Sequence, residues 1–182
     1  MMYNGKLANN LLSNYQLSGF TAGGVKSVQH GEAAITAYMD ADDIAITAVS
    51  TTASIGLVVN NEIEGYRQCT GSLTSGINLR TTLTVAGAIE ITYDYQVVEF
   101  EGVKSLQHIE AEATNATLDI TIDAVNLSKT RLFFQSRSLI NNIVANMVRS
   151  TLSATTNIHV YNSGIAAYGG TAQYVADVVE FS

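Results

Sequence analysis

Proline is absent from this sequence. Average usage of about 5% would place roughly nine in a chain of this length. No Pro-rich linker therefore separates one part of it from another. Cysteine occurs once, at Cys69. A single thiol can close no internal disulfide and build no cysteine-based zinc site, and it fits a chain made in a reducing cytoplasm. Charge is also scarce: 14% of residues are Asp, Glu, Lys or Arg, where soluble domains carry about 25%. The balance is acidic, net −7, and no basic run occurs. DNA and RNA are poor partners for such a chain, because phosphate recognition needs clustered Lys and Arg. No stretch approaches the ~18 consecutive apolar residues of a membrane helix. The first residues offer Lys6 but no apolar core of about 7–15 residues, so no signal peptide is expected. P-loop, G-x-S-x-G and dinucleotide fingerprints are missing as well.

What is present is apolar and hydroxyl-rich. Apolar residues make up 47%, with nine Tyr and five Phe, enough for a packed core. Thr, Ser, Asn and Ala fill the places that charges usually take. A weakly charged, Thr-rich surface suits a protein that faces other protein, or a compact β protein with a neutral exterior.

The sequence repeats itself. Gly24-Val25-Lys26-Ser27-Val28-Gln29-His30 returns as Gly102-Val103-Lys104-Ser105-Leu106-Gln107-His108, with six of seven positions identical. Val97-Val98-Glu99-Phe100 returns as Val178-Val179-Glu180-Phe181, and between them Ile46-Thr47-Ala48-Val49 matches Ile122-Asp123-Ala124-Val125. The matches keep their order at nearly constant offset. They predict two tandem units, 24–101 and 102–182, preceded by an arm, 1–23. A unit of roughly 80 residues buries only about 60% of its unfolded surface, so the two should share an interface or oligomerise.

Both units read as β structure. Leu118, Ile120 and Ile122 alternate with Asp119, Thr121 and Asp123. Leu79, Thr81, Leu83 and Val85 line one face, with Arg80, Thr82 and Thr84 on the other. Ile89, Ile91 and Tyr93 lead into a closing strand, Tyr95–Phe100. Gly and Asn pairs punctuate these runs at Asn60-Asn61, Ser75-Gly76, Ala86-Gly87, Asn141-Asn142 and Gly169-Gly170. Short strands at this spacing predict an all-β fold, two tandem repeats of a small antiparallel β-sandwich. Ser138–Met147 has helical spacing at Leu139, Ile140, Ile143, Val144 and Met147. In the arm, Leu7, Leu11, Leu12, Tyr15 and Phe20 need a surface to cover and are candidate anchors, on the chain's own unit or on a neighbouring subunit.

Candidates for chemistry are thin. Cys69 has no His nearby in sequence, and a buried structural thiol is expected. His30 and His108 occupy the same slot in both units, which points to a structural role at a strand end; a metal shared between them would need a pseudo-twofold and a carboxylate. His159 reads as a hydrogen-bonded strand histidine. Asp40, Asp42 and Asp43 resemble Asp-x-Asp ligands but lack the EF-hand Gly and Glu, so a solvated turn is expected. Glu99 and Glu180 recur between apolar residues, a pattern that suggests packing or salt bridges to Lys26 and Lys104. Tyr161, Asn162 and Tyr168, near Gly164 and Gly169-Gly170, form the one cluster suited to a glycan contact. No catalytic, cofactor or metal site is expected.

The unit that opens at Val-Lys-Ser-Val/Leu-Gln-His and closes at Val-Val-Glu-Phe resembles a module of tailed-bacteriophage virion proteins. Ile122-Asp123-Ala124-Val125-Asn126-Leu127-Ser128-Lys129-Thr130 looks like its second hallmark. The first unit departs there, with Ser50-Thr51-Thr52-Ala53. Gln96 and Asp177 stand where such modules often place an aromatic. The resemblance covers residues 24–181. It implies a β-sandwich of head decoration, collar or fibre, made in the host cytoplasm and residing in the virion. Its implied partners are the major capsid protein or collar and further copies of itself, with no enzymatic activity, no nucleic acid and no membrane. The rival expectation is a tail-fibre or collar module that binds host-surface carbohydrate.

Overall fold

The computed structural model describes residues 24–36, 41–60, 69–83, 91–138 and 148–182. The arm 1–23, with Leu7, Leu11, Leu12, Tyr15 and Phe20, lies outside the described residues, and so does the helical pattern from Leu139 to Met147. Ser138, read as the start of that helix, instead ends a strand.

The described residues form twelve strands: β1 (Val25–Ile35), β2 (Ala41–Ala45), β3 (Ser54–Asn60), β4 (Cys69–Ser75), β5 (Asn78–Leu83), β6 (Ile91–Phe100), β7 (Val103–Ala113), β8 (Thr117–Thr121), β9 (Thr130–Ser138), β10 (Val148–Ala154), β11 (Asn157–Asn162) and β12 (Ala172–Phe181). One short helix, α1 (Ser163–Tyr168), precedes β12, and a 3₁₀ turn spans Leu127–Lys129. The fold is all-β, and its pairings are antiparallel.

Four three-stranded sheets result, in the orders β1-β6-β3, β2-β5-β4, β7-β12-β9 and β8-β11-β10. The last two follow from the first two by raising every strand number by six. β6 pairs with β1 and β3, and β12 with β7 and β9, so each Val-Val-Glu-Phe segment is the central strand of its sheet. Cores on both sides of each inner sheet explain the apolar run: a strand buried on both faces does not alternate with polar residues. Val97, Val98, Val178 and Val179 are all fully buried.

Three cores separate the four sheets. Ile35, Val58, Leu79, Leu83, Tyr93 and Val97 pack together between the two sheets of the first unit. Ile120, Ile158, Val160, Tyr174, Ala176 and Val178 do the same in the second, with Ile165 of α1. The third core belongs to both units: Ile55, Leu57, Val98 and Phe100 meet Phe133, Val179 and Phe181. The Phe100 and Phe181 rings stand edge to face at 5.7 Å, and Phe100 lies 5.5 Å from Phe133. Each central strand thus turns one face to its own unit and the other to its neighbour. The stack runs outer sheet, inner sheet, inner sheet, outer sheet. Sharing a core is how two small units compensate for the surface neither can bury alone.

The joint is short. Gly102, at φ 66°, adopts the left-handed conformation that turns β6 into β7, and glycine is the residue that takes it without strain. Glu101 N–H donates to the Gly24 carbonyl and Ser182 N–H to the Gly102 carbonyl, both at 2.8 Å. The start and end of each unit are thereby tied together.

Candidate functional site

The repeated motif residues converge on two carboxylates. Lys26 Nζ donates to Glu99 Oε1 at 2.9 Å, Ser27 Oγ to Oε2 at 3.2 Å, and the Ser50 backbone N–H to Oε1 at 3.3 Å. In the second unit Lys104 Nζ donates to Glu180 Oε1 at 2.9 Å, Ser105 Oγ to Oε2 at 3.3 Å and the Asn126 N–H to Oε1 at 3.2 Å. The glutamate side chains are 8% and 3% exposed, and the lysines 56% and 61%. The lysine bond, followed by the backbone and serine donors, holds both carboxyls below the usual glutamate range against the opposing effect of burial. Half-exposed ion pairs contribute little by themselves. What matters is that a nearly enclosed carboxylate has three donors. The expected pairing of the repeated glutamates with Lys26 and Lys104 is therefore present.

The motif glutamines are also accounted for. Gln29 Nε2 donates to the Thr47 carbonyl at 2.7 Å, while Thr47 N–H donates to Gln29 Oε1 at 2.8 Å. Gln107 repeats this with Asp123, at 3.1 and 2.7 Å. Each carboxamide acts as a piece of β backbone, tying the segment after β2 or β8 to an inner sheet. Asp43 accepts from Asn78 Nδ2 at 3.0 Å and from Arg80 Nε at 2.9 Å. Asp119 likewise accepts from Asn157 Nδ2 at 3.0 Å and His159 Nδ1 at 2.8 Å. Asp42 and Asp43 lie within strand β2, not in the turn expected for them, because the period-2 burial pattern continues through them.

The histidine slot is mid-strand, not at a strand end. His30 on β1 is exposed and pairs in register with Gln96. His108 on β7 faces Asp177, and the two are bonded at 2.7 Å from Nδ1 to Oδ1. Asp177 is 4% exposed. Burial raises its carboxyl above the usual range, and the bond to Asp177 raises His108. Among the described residues, no group of three or more His, Cys, Asp or Glu side chains could hold a metal ion. Cys69 opens β4, buried in the first unit's core.

Of the three candidate glycan residues, Asn162 is turned inward. Asn162 is 1% exposed. Its Oδ1 caps α1 by accepting from Gly164 N–H at 2.9 Å and Ile165 N–H at 3.1 Å, and its Nδ2 donates to Tyr174 Oη at 3.2 Å. An amide so committed presents nothing to a sugar. Tyr161 is exposed on β11, and Tyr168 ends α1 with its side chain outside the described residues.

Sequence reasoning missed Gln135. Its carboxamide lies between the free edges of β3 and β4. Oε1 accepts from Val58 N–H and Gly71 N–H, both at 3.1 Å, and Nε2 donates to the Gly56 carbonyl at 2.8 Å and the Gly71 carbonyl at 3.0 Å. One side chain of the second unit thus joins the two sheets of the first. Arg137, two residues on, donates to the Leu83 carbonyl at 3.1 Å. Beside it opens a cleft of about 240 Å³ lined by Thr70, Ser72, Thr82, Glu110, Glu112 and Gln173, among others. It is smaller than the roughly 300–1,000 Å³ of small-molecule sites.

Compared with protein-family models, curated proteins and solved structures, the chain matches none.

Proposed function

We propose that this chain is a non-enzymatic structural protein of a tailed-bacteriophage virion that decorates or cements the capsid surface. The observation that carries the reading is the role of the repeated motifs. The residues that resemble phage virion modules (Lys-Ser, Gln and Val-Val-Glu-Phe) are the ones that clamp each unit and supply the core between units. A motif devoted to holding sheets together belongs to a building block, not to a reaction centre. Two units stacked through a shared core make one block with two outer sheets, and those sheets carry few charges to oppose docking on other protein.

The test is quantitative mass spectrometry of purified particles encoding this chain. Hundreds of copies per particle support shell decoration. A dozen or fewer move the protein to a collar or fibre, and absence from particles refutes the virion reading.

A further inference from the structure

We propose that His108 and Asp177 form a pH-sensitive latch at the contact between the two units, closed while the imidazole carries a proton and loosened when it loses it. The geometry is specific. Asp177 is buried and bonded to His108 at 2.7 Å, while His108 is 37% exposed and can exchange protons with solvent. On β12, Ala176 and Val178 face the second unit's own core. By strand alternation Asp177 shares the other face with Val179, which packs on Ile55, Leu57, Val98 and Phe100 of the first unit. Buried carboxylates are tolerated when a charged donor compensates them, and are costly without one.

Among the described residues, few other charges act on the pair. From β7, Glu110 stands 3.6 Å from His108 Nε2, on its solvent side. Across β9 the register neighbour of Asp177 is Phe133, with Arg131 and Arg137 opposite Val179 and Gln173. The first unit contributes apolar side chains, with neutral Gln96 on β6 and His30 on β1. Gln96 and His30 are the internal comparison. They hold the same register positions as Asp177 and His108, but no buried charge forms there.

The pH window follows from His108. Its pKa is raised in the folded chain, so the stabilisation is complete below the ordinary imidazole range and is lost as pH rises through the raised value. Asp177, raised by burial, adds to the same trend, because its ionised form is the costly one.

The experiment is thermal unfolding of the full chain from about pH 6 to about pH 9. The native chain should lose several degrees of Tm over that range, with amide exchange in β6 and β12 rising beyond its intrinsic base dependence. Asp177→Asn should flatten the slope and melt higher than the native chain at the alkaline end. His108→Gln should also flatten it, near the native alkaline value. His159→Gln should leave the slope in place. A slope unchanged in Asp177→Asn overturns the latch. Should that variant not fold, NMR titration of His108 in the native chain decides: an imidazole titrating at or below its ordinary value overturns the proposal.

Discussion

Replacing Gln135 with Ala is the sharpest test of how the units are joined. The carboxamide makes four hydrogen bonds to main-chain groups of Gly56, Val58 and Gly71. It fills its capacity of two donors and two acceptors. Each bond contributes about 1 kcal/mol net, and an orphaned buried group costs about 1–3 kcal/mol. These groups are partly buried, so water will satisfy some of them, and we expect a loss of about 2–4 kcal/mol. At about 2–4 °C per kcal/mol for a chain of this size, the melt should fall by roughly 4–16 °C. A Cβ at Gly56 or Gly71 would meet the Leu79 or Val58 side chain, so these two strands pack closely on the first unit's core side. Gln135→Glu separates this account from simple loss of packing. A carboxylate still accepts from Val58 and Gly71 but turns lone pairs toward two carbonyls. It should therefore be worse than Ala at neutral pH and recover on acidification, when its proton restores one donor. Urea melts, with amide exchange at Val58 and Gly71, provide the readout. A loss below ~1 kcal/mol for Gln135→Ala, or no pH recovery for Gln135→Glu, refutes the reasoning.

Phe100→Ala should cost about 3–5 kcal/mol by urea melt, since the ring is buried against Phe133 and Phe181; a loss under ~1 kcal/mol would place the ring outside the shared core. Glu99 and Glu180 titrate below the ordinary glutamate range in the folded chain, so their stabilisation is present at neutral pH and lost as pH falls through the folded values. The Glu99→Gln, Glu180→Gln double variant should be less stable at pH 7 and show a shallower acid loss, and an acid limb as steep as the native one counts against the clamps. Deleting residues 1–23 should leave the melt of the two units intact and abolish attachment to particles. Co-sedimentation of the truncated chain at native levels refutes the anchor.

The strands were legible because their burial alternates. Leu79, Thr81 and Leu83 face inward on β5 as their spacing predicts. Val97, Phe100, Val178 and Phe181 are buried as their apolar runs predict. The Glu–Lys pairing was legible because both partners recur together. What the sequence hid is long-range. Gln135 bonds residues 64 to 79 positions away, and nothing local marks it. Asp177 stood out only as a departure from the resembled motif, because its partner is set by strand register. Asn162 looked available beside Gly164 because a helix cap and a loop amide share a composition. Asp42 and Asp43 looked like a turn because edge-strand positions are polar too.

The two units agree and differ in a pattern with a physical reason. Positions that close a unit on itself are the same in both: the Lys-Ser-Glu clamp, the Gln tie and the apolar central strand. Among the positions that differ, two stand on the face where the units meet. In strand register Gln96 corresponds to Asp177, and Val59, opposite Asp94, corresponds to Gln135, opposite Val175. The second unit inserts Gln135 between the sheets of the first, where the first unit has Val59 at the equivalent position. Half-buried Leu106 packs against the shared core, whereas Val28 in the same slot is 41% exposed. The two sides of the shared contact are therefore chemically distinguishable, although the sheets of both units have the same strand order.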